Sequence, residues 1–206
     1  MQLTSRELRQ KYNEFAPKYD LLEGVPELLG VWRLRRSLLA KLSGRVLEVA
    51  AGTGKNFRYH PSGCKIIAVD LSLEMLKIAR RRSLRLHRHI PFAVMDAESL
   101  AFPARSFDTV VSSLTLCTFP DPVAALREMV RVCRADGRIL LLEHGRSDRE
   151  WLGRWQDRRT DRHAEYLGCH WNREPLDLVR QAGLRVLANR RIFLGIFHEI
   201  EAVPAP

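Results

Sequence analysis

The stretch that most constrains this chain is Arg45 to Asp70, RVLEVAAGTGKNFRYHPSGCKIIAVD. The apolar run Val46, Leu47, Val49 and Ala50 suits one buried strand and breaks into Ala51-Gly52-Thr53-Gly54. A second run, Ile66 to Val69, closes on Asp70. The pattern predicts a strand, a tight turn, a short helix and another strand. Glycine at 52 and 54 removes the Cβ atoms that would hold a ligand off the backbone, and a helix that follows turns its free N–H groups toward the same space. Asp70, 18 residues beyond Gly52, falls where a carboxylate accepts hydrogen bonds from a ribose diol. A chain that begins its sheet this way is expected to hold a nucleoside.

Missing residues narrow the choice. A dinucleotide fingerprint needs a third glycine three residues after Gly54, and Phe57 stands there; no GxxxxGK[ST] loop exists either. Glu48 is expected to add a carboxylate to the loop mouth, repelling phosphate and suiting a cation. S-adenosylmethionine carries an ammonium and a sulfonium and no phosphate. Gly-x-Gly alone serves many strand–helix turns, so the reading rests on Glu48, Gly52, Gly54 and Asp70 together.

Further along, strands and helices alternate. Ser72 can cap a helix to about Arg82, Ile90 to Val94 reads as a third strand with Asp96 beyond it, and Phe107 to Ser112 reads as a fourth. Ser113, Leu114, Leu116 and Cys117 follow it toward the pocket mouth. Asp121-Pro122 opens a helix, Asp136-Gly137 turns, and Arg138 to Glu143 is a fifth strand. That order predicts an α/β fold with a parallel, doubly wound sheet, whose ligands sit at the carboxyl ends of strands, where Asp70, Asp96, Ser112 and Glu143-His144 fall. Asp96 reads equally as a turn cap.

The flanks are more ambiguous. Ser5 to Tyr19 predicts a helix with Leu8, Tyr12 and Phe15 on one side, ended or kinked by Pro17. Pro26 to Leu42 predicts a helix with an apolar body, Trp32, and a basic face of Arg33, Arg35, Arg36 and Lys41; it suits either packing on the sheet or lying on a membrane surface. Residues 145–171 form a polar, aromatic insertion that suits an acceptor lid or a helix covering the sheet edge. Asn172 is expected to cap a helix from Arg173 to Ala182. Leu184 to Leu187 and Ile192 to Ile200 predict an antiparallel hairpin turning at Ala188-Asn189-Arg190-Arg191.

ExxxGTG with an acidic residue closing the next strand, then Asp96-Ala97, Phe107-Asp108 and Arg134-Ala135-Asp136-Gly137-Arg138, resembles the class I S-adenosylmethionine-dependent methyltransferases. The resemblance spans roughly residues 10 to 200 and implies a Rossmann-like, seven-stranded, mostly parallel sheet with helices on both faces and an antiparallel C-terminal hairpin. YNEFAPKYD at the N-terminus is similar to the ubiquinone/menaquinone C-methyltransferases and phospholipid N-methyltransferases. Asn56-Phe57, Leu116-Cys117, Glu143-His144 and Gly168-Cys169 resemble the microsomal alkyl-thiol S-methyltransferases. Those carry an N-terminal membrane anchor, and the polar start MQLTSRELRQKY predicts none here, nor a signal peptide. The resemblance implies one methyltransferase domain over residues 1–206, with 1–42 lying over the cofactor. Tyr12 and Tyr19 would approach it from that segment, though each also reads as a packing aromatic. Glu48, Ala50, Gly52, Gly54 and Asn56 would meet it from the first loop, Asp70, Leu71 and Met75 from the second, and Asp96, Ala97, Ser112 and Ser113 from the next two strand ends.

Composition excludes other classes. No run of about 18 apolar residues is present to span a membrane. Cys64, Cys117, Cys133 and Cys169 include no CxxC pair, so spacing suggests neither zinc nor a disulfide framework, and no metal is expected. The formal charge of +10, with a dense run over Lys77 to His89, lacks the aromatic interleaving of nucleic-acid readers. The expectation is a cytoplasmic protein, with weak peripheral contact to anionic lipid as the use of the basic surface.

Methyl transfer is an in-line displacement that mainly asks a protein to hold the acceptor and, for a thiol or carbon acid, to take a proton. His144, at a strand end, is the first candidate base and His170 the second; either could equally be a structural donor. With Leu114, Leu116, Trp151 and Trp155 as walls, the expected acceptor is small and apolar or amphipathic, a hydrophobic thiol first. A phospholipid, a quinone, and a non-catalytic cofactor-binding protein remain as alternatives.

Overall fold

The computed structural model describes residues 3–22, 24 and 27–205, so the predicted helix start at Pro26 lies outside the described residues. Helix α1, Ser5–Leu22, runs through Pro17. It opens on a reciprocal cap: Thr4 Oγ1 accepts from Glu7 N–H, and Glu7 Oε2 accepts from Thr4 N–H at 2.8 Å. The helix expected up to Leu42 is broken: a π turn, Glu27–Val31, contains Gly30 at φ +116°, a conformation open to glycine, and α2 is Trp32–Leu39.

Strand β1, Arg45–Val49, leads through a 3-10 turn at Lys55–Tyr59 to β2, Lys65–Asp70. Helix α3, Leu73–Arg85, is capped by Ser72, whose Oγ accepts from Met75 N–H at 3.1 Å. Then come β3 (Phe92–Val94), β4 (Phe107–Ser113), α4 (Pro122–Val132) and β5 (Cys133–His144). Asp121 Oδ1 caps α4 through the N–H groups of Val123 and Ala124. Helices α5, Glu150–Leu167, and α6, Pro175–Gln181, precede β6, Leu184–Ile192, and β7, Phe197–Pro204.

The seven strands lie in the order β3-β2-β1-β4-β5-β7-β6, parallel except for β7, which runs antiparallel to both neighbours. The expected Rossmann-like sheet with its C-terminal hairpin is therefore present. Alternate residues of the central strands feed two cores. Leu47, Val49, Val110, Ile139 and Leu141 pack with Leu126, Met129 and Val179 of α4 and α6. Val46, Val111, Leu140 and Leu142 pack with Leu34, Leu38 and Leu39 of α2. Burial on both faces is what a parallel sheet requires.

The hairpin turn is not where polarity suggested. Ala188 to Arg191 are strand residues paired with β7, and the chain reverses at residues 193–196, where Phe193, Leu194 and Gly195 all have positive φ. The polar run sits on the sheet's outer strand, where Arg190 reaches Glu199 and Arg191 reaches Glu174; solvent exposure, rather than a turn, accounts for its composition. Asn172 does not cap α6, which starts behind Glu174; its side chain bonds Thr160 and Asp157 of α5 instead.

Candidate active site

At the carboxyl ends of β1 to β4 lies a cavity of about 910 Å³, partly open to solvent. Its wall contains most of the residues singled out from sequence: Tyr12, Tyr19, Ala50, Gly52, Asn56, Asp70, Leu71, Met75, Asp96, Ala97 and Ser113. Sequence reasoning missed Leu8, Arg9, Arg35, Thr53, Lys55, Met95, Thr118, Phe119 and Pro120 on the same wall. Some had a local signal, since Thr53 and Lys55 flank the second glycine; Arg9 and Arg35 come from distant helices and had none.

Asp70 is held by its own turn. Its Oδ2 accepts from Gly52 N–H at 2.7 Å and its Oδ1 from Ser72 N–H at 2.8 Å. Each oxygen keeps a further acceptor position for a ligand hydroxyl. Burial pushes the carboxyl up to about 6, against the pull of those N–H donors. Gly52 has φ +56°, and a Cβ there would meet no atom within 4 Å, so the missing side chain leaves room on the cavity wall. This arrangement fits a nucleoside cofactor such as S-adenosylmethionine.

Three expected cofactor contacts lie behind the wall. Glu48 is 1% exposed and shares the face of Val46 on β1, so it points into the fold rather than to the loop mouth. Its Oε1 accepts from Asn56 Nδ2 at 2.8 Å, and its Oε2 lies 2.9 Å from His60 Nε2. Asn56 Oδ1 in turn accepts from Arg35 at 2.8 Å, so Glu48 acts on the cavity by aligning Asn56 and Arg35. Gly54 at φ +77° faces inward: a Cβ there would sit 2.4 Å from the Phe57 ring, which makes this glycine a packing requirement. Ser112 is fully buried, and its hydroxyl donates to Val49 O at 3.1 Å, tying β4 to β1.

The residues expected around the acceptor also lie elsewhere. Among the described residues, none of 145–171 lines the cavity, and neither does His144. Trp151 and Trp155 are 69% and 42% exposed and wall nothing there, while Leu116 is buried in the core. Helix α5 instead braces α1: Lys11 Nζ donates to the carbonyls of Glu165 and Tyr166 at 3.0 Å, and the Phe15 and Tyr166 rings lie 6.4 Å apart. Helix α1 then supplies the cover, through Leu8, Arg9, Tyr12 and Tyr19. His144 Nε2 lies 3.4 Å from Cys169 Sγ, and His170 donates its backbone N–H to Cys117 O at 2.8 Å. Burial and then the Arg173 charge lower the His170 imidazole from its ordinary value.

Glu143, noted in the sequence only as part of a strand end, organises this side. It is fully buried; Oε2 accepts from the N–H groups of Thr115 and Leu116 at 2.9 and 3.0 Å, and Oε1 accepts from Thr115 Oγ1. The loop carrying Leu114, Thr115 and Thr118 to the cavity therefore hangs on one carboxylate. Burial raises that carboxyl to about 7, with the nearby His144 pulling it down.

Residues 47–141 match the family described as a methyltransferase domain. Over this segment the chain carries a methyltransferase domain. The chain is 30% identical over 94% of its length to methyltransferase OMS1, mitochondrial, of Saccharomyces cerevisiae, covering 45% of that protein. It is 36% identical over 66% of its length to the demethylmenaquinone methyltransferase of Renibacterium salmoninarum, covering 58% of it. The chain thus spans about half the length of these curated relatives. A solved S-adenosylmethionine-dependent methyltransferase of Thermotoga maritima, a possible histamine N-methyltransferase, superposes with a TM-score of 0.73 at 23% identity, covering 95% of this chain and 99% of that one. That likeness is one of fold. Within the methyltransferase family the cofactor is S-adenosylmethionine.

Proposed function

We propose that this chain transfers a methyl group from S-adenosylmethionine to a small amphipathic, lipid-like acceptor, a quinol ring or a phospholipid head group before a thiol. The observation that carries the reading is the make-up of one cavity wall. Strand ends bring Gly52, Asp70 and Asp96, while α1 and the loop after β4 bring Leu8, Tyr12, Leu114 and Phe119. Asp70 would hold the ribose and Asp96 the adenine amino group, with Asn56, Lys55 and Arg35 around the amino-acid end, whose carboxylate suits the charge of Lys55 and Arg35. The bound cofactor supplies a methyl activated by a sulfonium; the chain's part is to hold an acceptor in line with it and shield both from water. The apolar residues of the wall suit the body of a lipid-like acceptor, and the quinone acceptor named for the Renibacterium relative supports that choice.

A hydrophobic thiol is the second reading, favoured by the Leu116-Cys117, Glu143-His144 and Gly168-Cys169 pairs. It asked His144 to take the thiol proton, and His144 stands outside the wall with Nε2 against Cys169. Labelled cofactor offered with a demethylmenaquinol analogue, phosphatidylethanolamine vesicles and short-chain thiols tests both. Label on the quinol or phospholipid supports the proposal. Label on thiols alone overturns the acceptor class. Cofactor binding with no transfer to any of these overturns the activity and leaves a cofactor-binding protein.

A further inference from the structure

Away from the cavity wall, three separate segments bring soft ligands to one point. Cys117 comes from the loop after β4, His144 ends β5, and Cys169 follows α5; one ligand atom from each lies within 4.8 Å of the other two. We propose that Cys117, His144 and Cys169 bind a thiophilic d10 cation, Zn²⁺ or Cu⁺, at a site distinct from the cofactor cavity.

The geometry is close to what such an ion needs. With Zn–S bonds of about 2.3 Å and Zn–N bonds of about 2.0–2.1 Å, tetrahedral coordination separates sulfur from nitrogen by about 3.5 Å and sulfur from sulfur by about 3.8 Å. Cys169 Sγ and His144 Nε2 are already 3.4 Å apart. The backbone around the site is fixed: Glu143 pins the N–H groups of Thr115 and Leu116, and His170 N–H holds the Cys117 carbonyl at 2.8 Å. Two thiolates and an imidazole select zinc or cuprous ion over magnesium or calcium, which prefer oxygen. Binding displaces the two thiol protons to solvent and leaves a fourth position for water or another ligand. The ion would join the loop after β4 to the end of β5 and to the segment after α5, a link the spacing of the cysteines along the chain conceals.

Cobalt substitution tests this on the full chain kept reduced. One equivalent of Co²⁺ should produce thiolate-to-cobalt charge-transfer and tetrahedral ligand-field absorption, and Zn²⁺ should bleach both by displacement. Cys169→Ser should weaken Zn²⁺ at least about tenfold in competition with a chromophoric chelator, since changes even one shell further out cost 10–100-fold. Cys64→Ser, which removes a thiol outside the cluster, should leave affinity unchanged. Circular dichroism confirms that each variant is folded. Absence of the charge-transfer band, or equal loss in Cys64→Ser, overturns the proposal.

Discussion

The two sides of the cavity are built differently. On the side proposed for the nucleoside, Gly52 and Asp70 lie 18 residues apart and meet through one hydrogen bond of 2.7 Å from the Gly52 N–H to the Asp70 carboxylate, completed by Ser72 two residues on. On the side proposed for the acceptor, Leu8 and Tyr12 come from α1, and Thr115 and Thr118 from a loop that hangs on Glu143 across 27 or 28 residues. A site made within one strand–turn–strand unit can be read as a motif. One assembled from helix ends and a suspended loop depends on long-range packing, which leaves no fixed spacing in the chain.

The largest effect that would break this contrast is at Asp70. Asp70→Ala should cost S-adenosylhomocysteine roughly 1.5–3 kcal/mol for each charged hydrogen bond to the ribose, read by calorimetry. Unchanged affinity would remove the nucleoside from this side of the cavity.

Glu143→Gln probes the other side through pH. Burial holds the Glu143 carboxyl at about 7, above its ordinary value of 4.5, so the folded chain keeps a proton that the unfolded chain loses in between. The stability this gives is complete below about pH 4.5 and fades as pH rises through about 7. Asp70, pushed up to about 6, acts in the same direction. Removing the Glu143 share should flatten the difference in unfolding free energy between pH 5 and pH 8 by roughly 2.5 kcal/mol. Urea titrations at the two pH values measure it, and an unaltered slope would mean that Glu143 ionises normally in the fold.

The two glycines separate ligand room from packing. Gly54→Ala should destabilise the fold by at least about 1 kcal/mol from its left-handed backbone alone, with the Phe57 clash added. Gly52→Ala meets no atom in the fold, so beyond the same backbone cost it should act on cofactor affinity. Melting temperatures and cofactor titrations on the pair give the split; identical behaviour would end the distinction.

The smallest expected effect concerns the basic surface. No helix among the described residues is long and apolar enough to cross a membrane. We expect peripheral binding to anionic vesicles through Arg33, Arg36 and the exposed arginines of α3, at about 1 kcal/mol per residue near the surface and lost at high salt. Equal sedimentation with neutral and anionic vesicles would remove it. Arg82 does not belong to that set, because it pairs with Asp20 and donates to Thr53 O at 2.9 Å.

What the sequence showed follows the same division. Strand alternation, the cap at Ser72 and the Gly52–Asp70 turn are local, and the structure has them. Glu48 was placed at the loop mouth because a carboxylate beside the glycine turn suits a cationic ligand, although strand parity puts it beside inward Val46. Residues 145–171 suggested a lid because of their tryptophans, while the fold uses α5 to brace α1. The Phe193–Gly195 reversal was hidden by its apolar residues, and the polar stretch before it drew the turn signal.

The fastening of α1 has a consequence for traffic through the cavity. Among the described residues its buried apolar side chains are Leu8 and Ala16. Much of its attachment is polar: Asn13 Oδ1 accepts from Ser72 Oγ at 2.7 Å, Asp20 Oδ1 accepts from Thr53 Oγ1 at 2.7 Å, and Lys11 meets the end of α5. Such pins release one at a time at modest cost, whereas the sheet beneath opens only with the whole core. The wall made by α1 is thus the part of the cavity that can loosen while the strands stay shut.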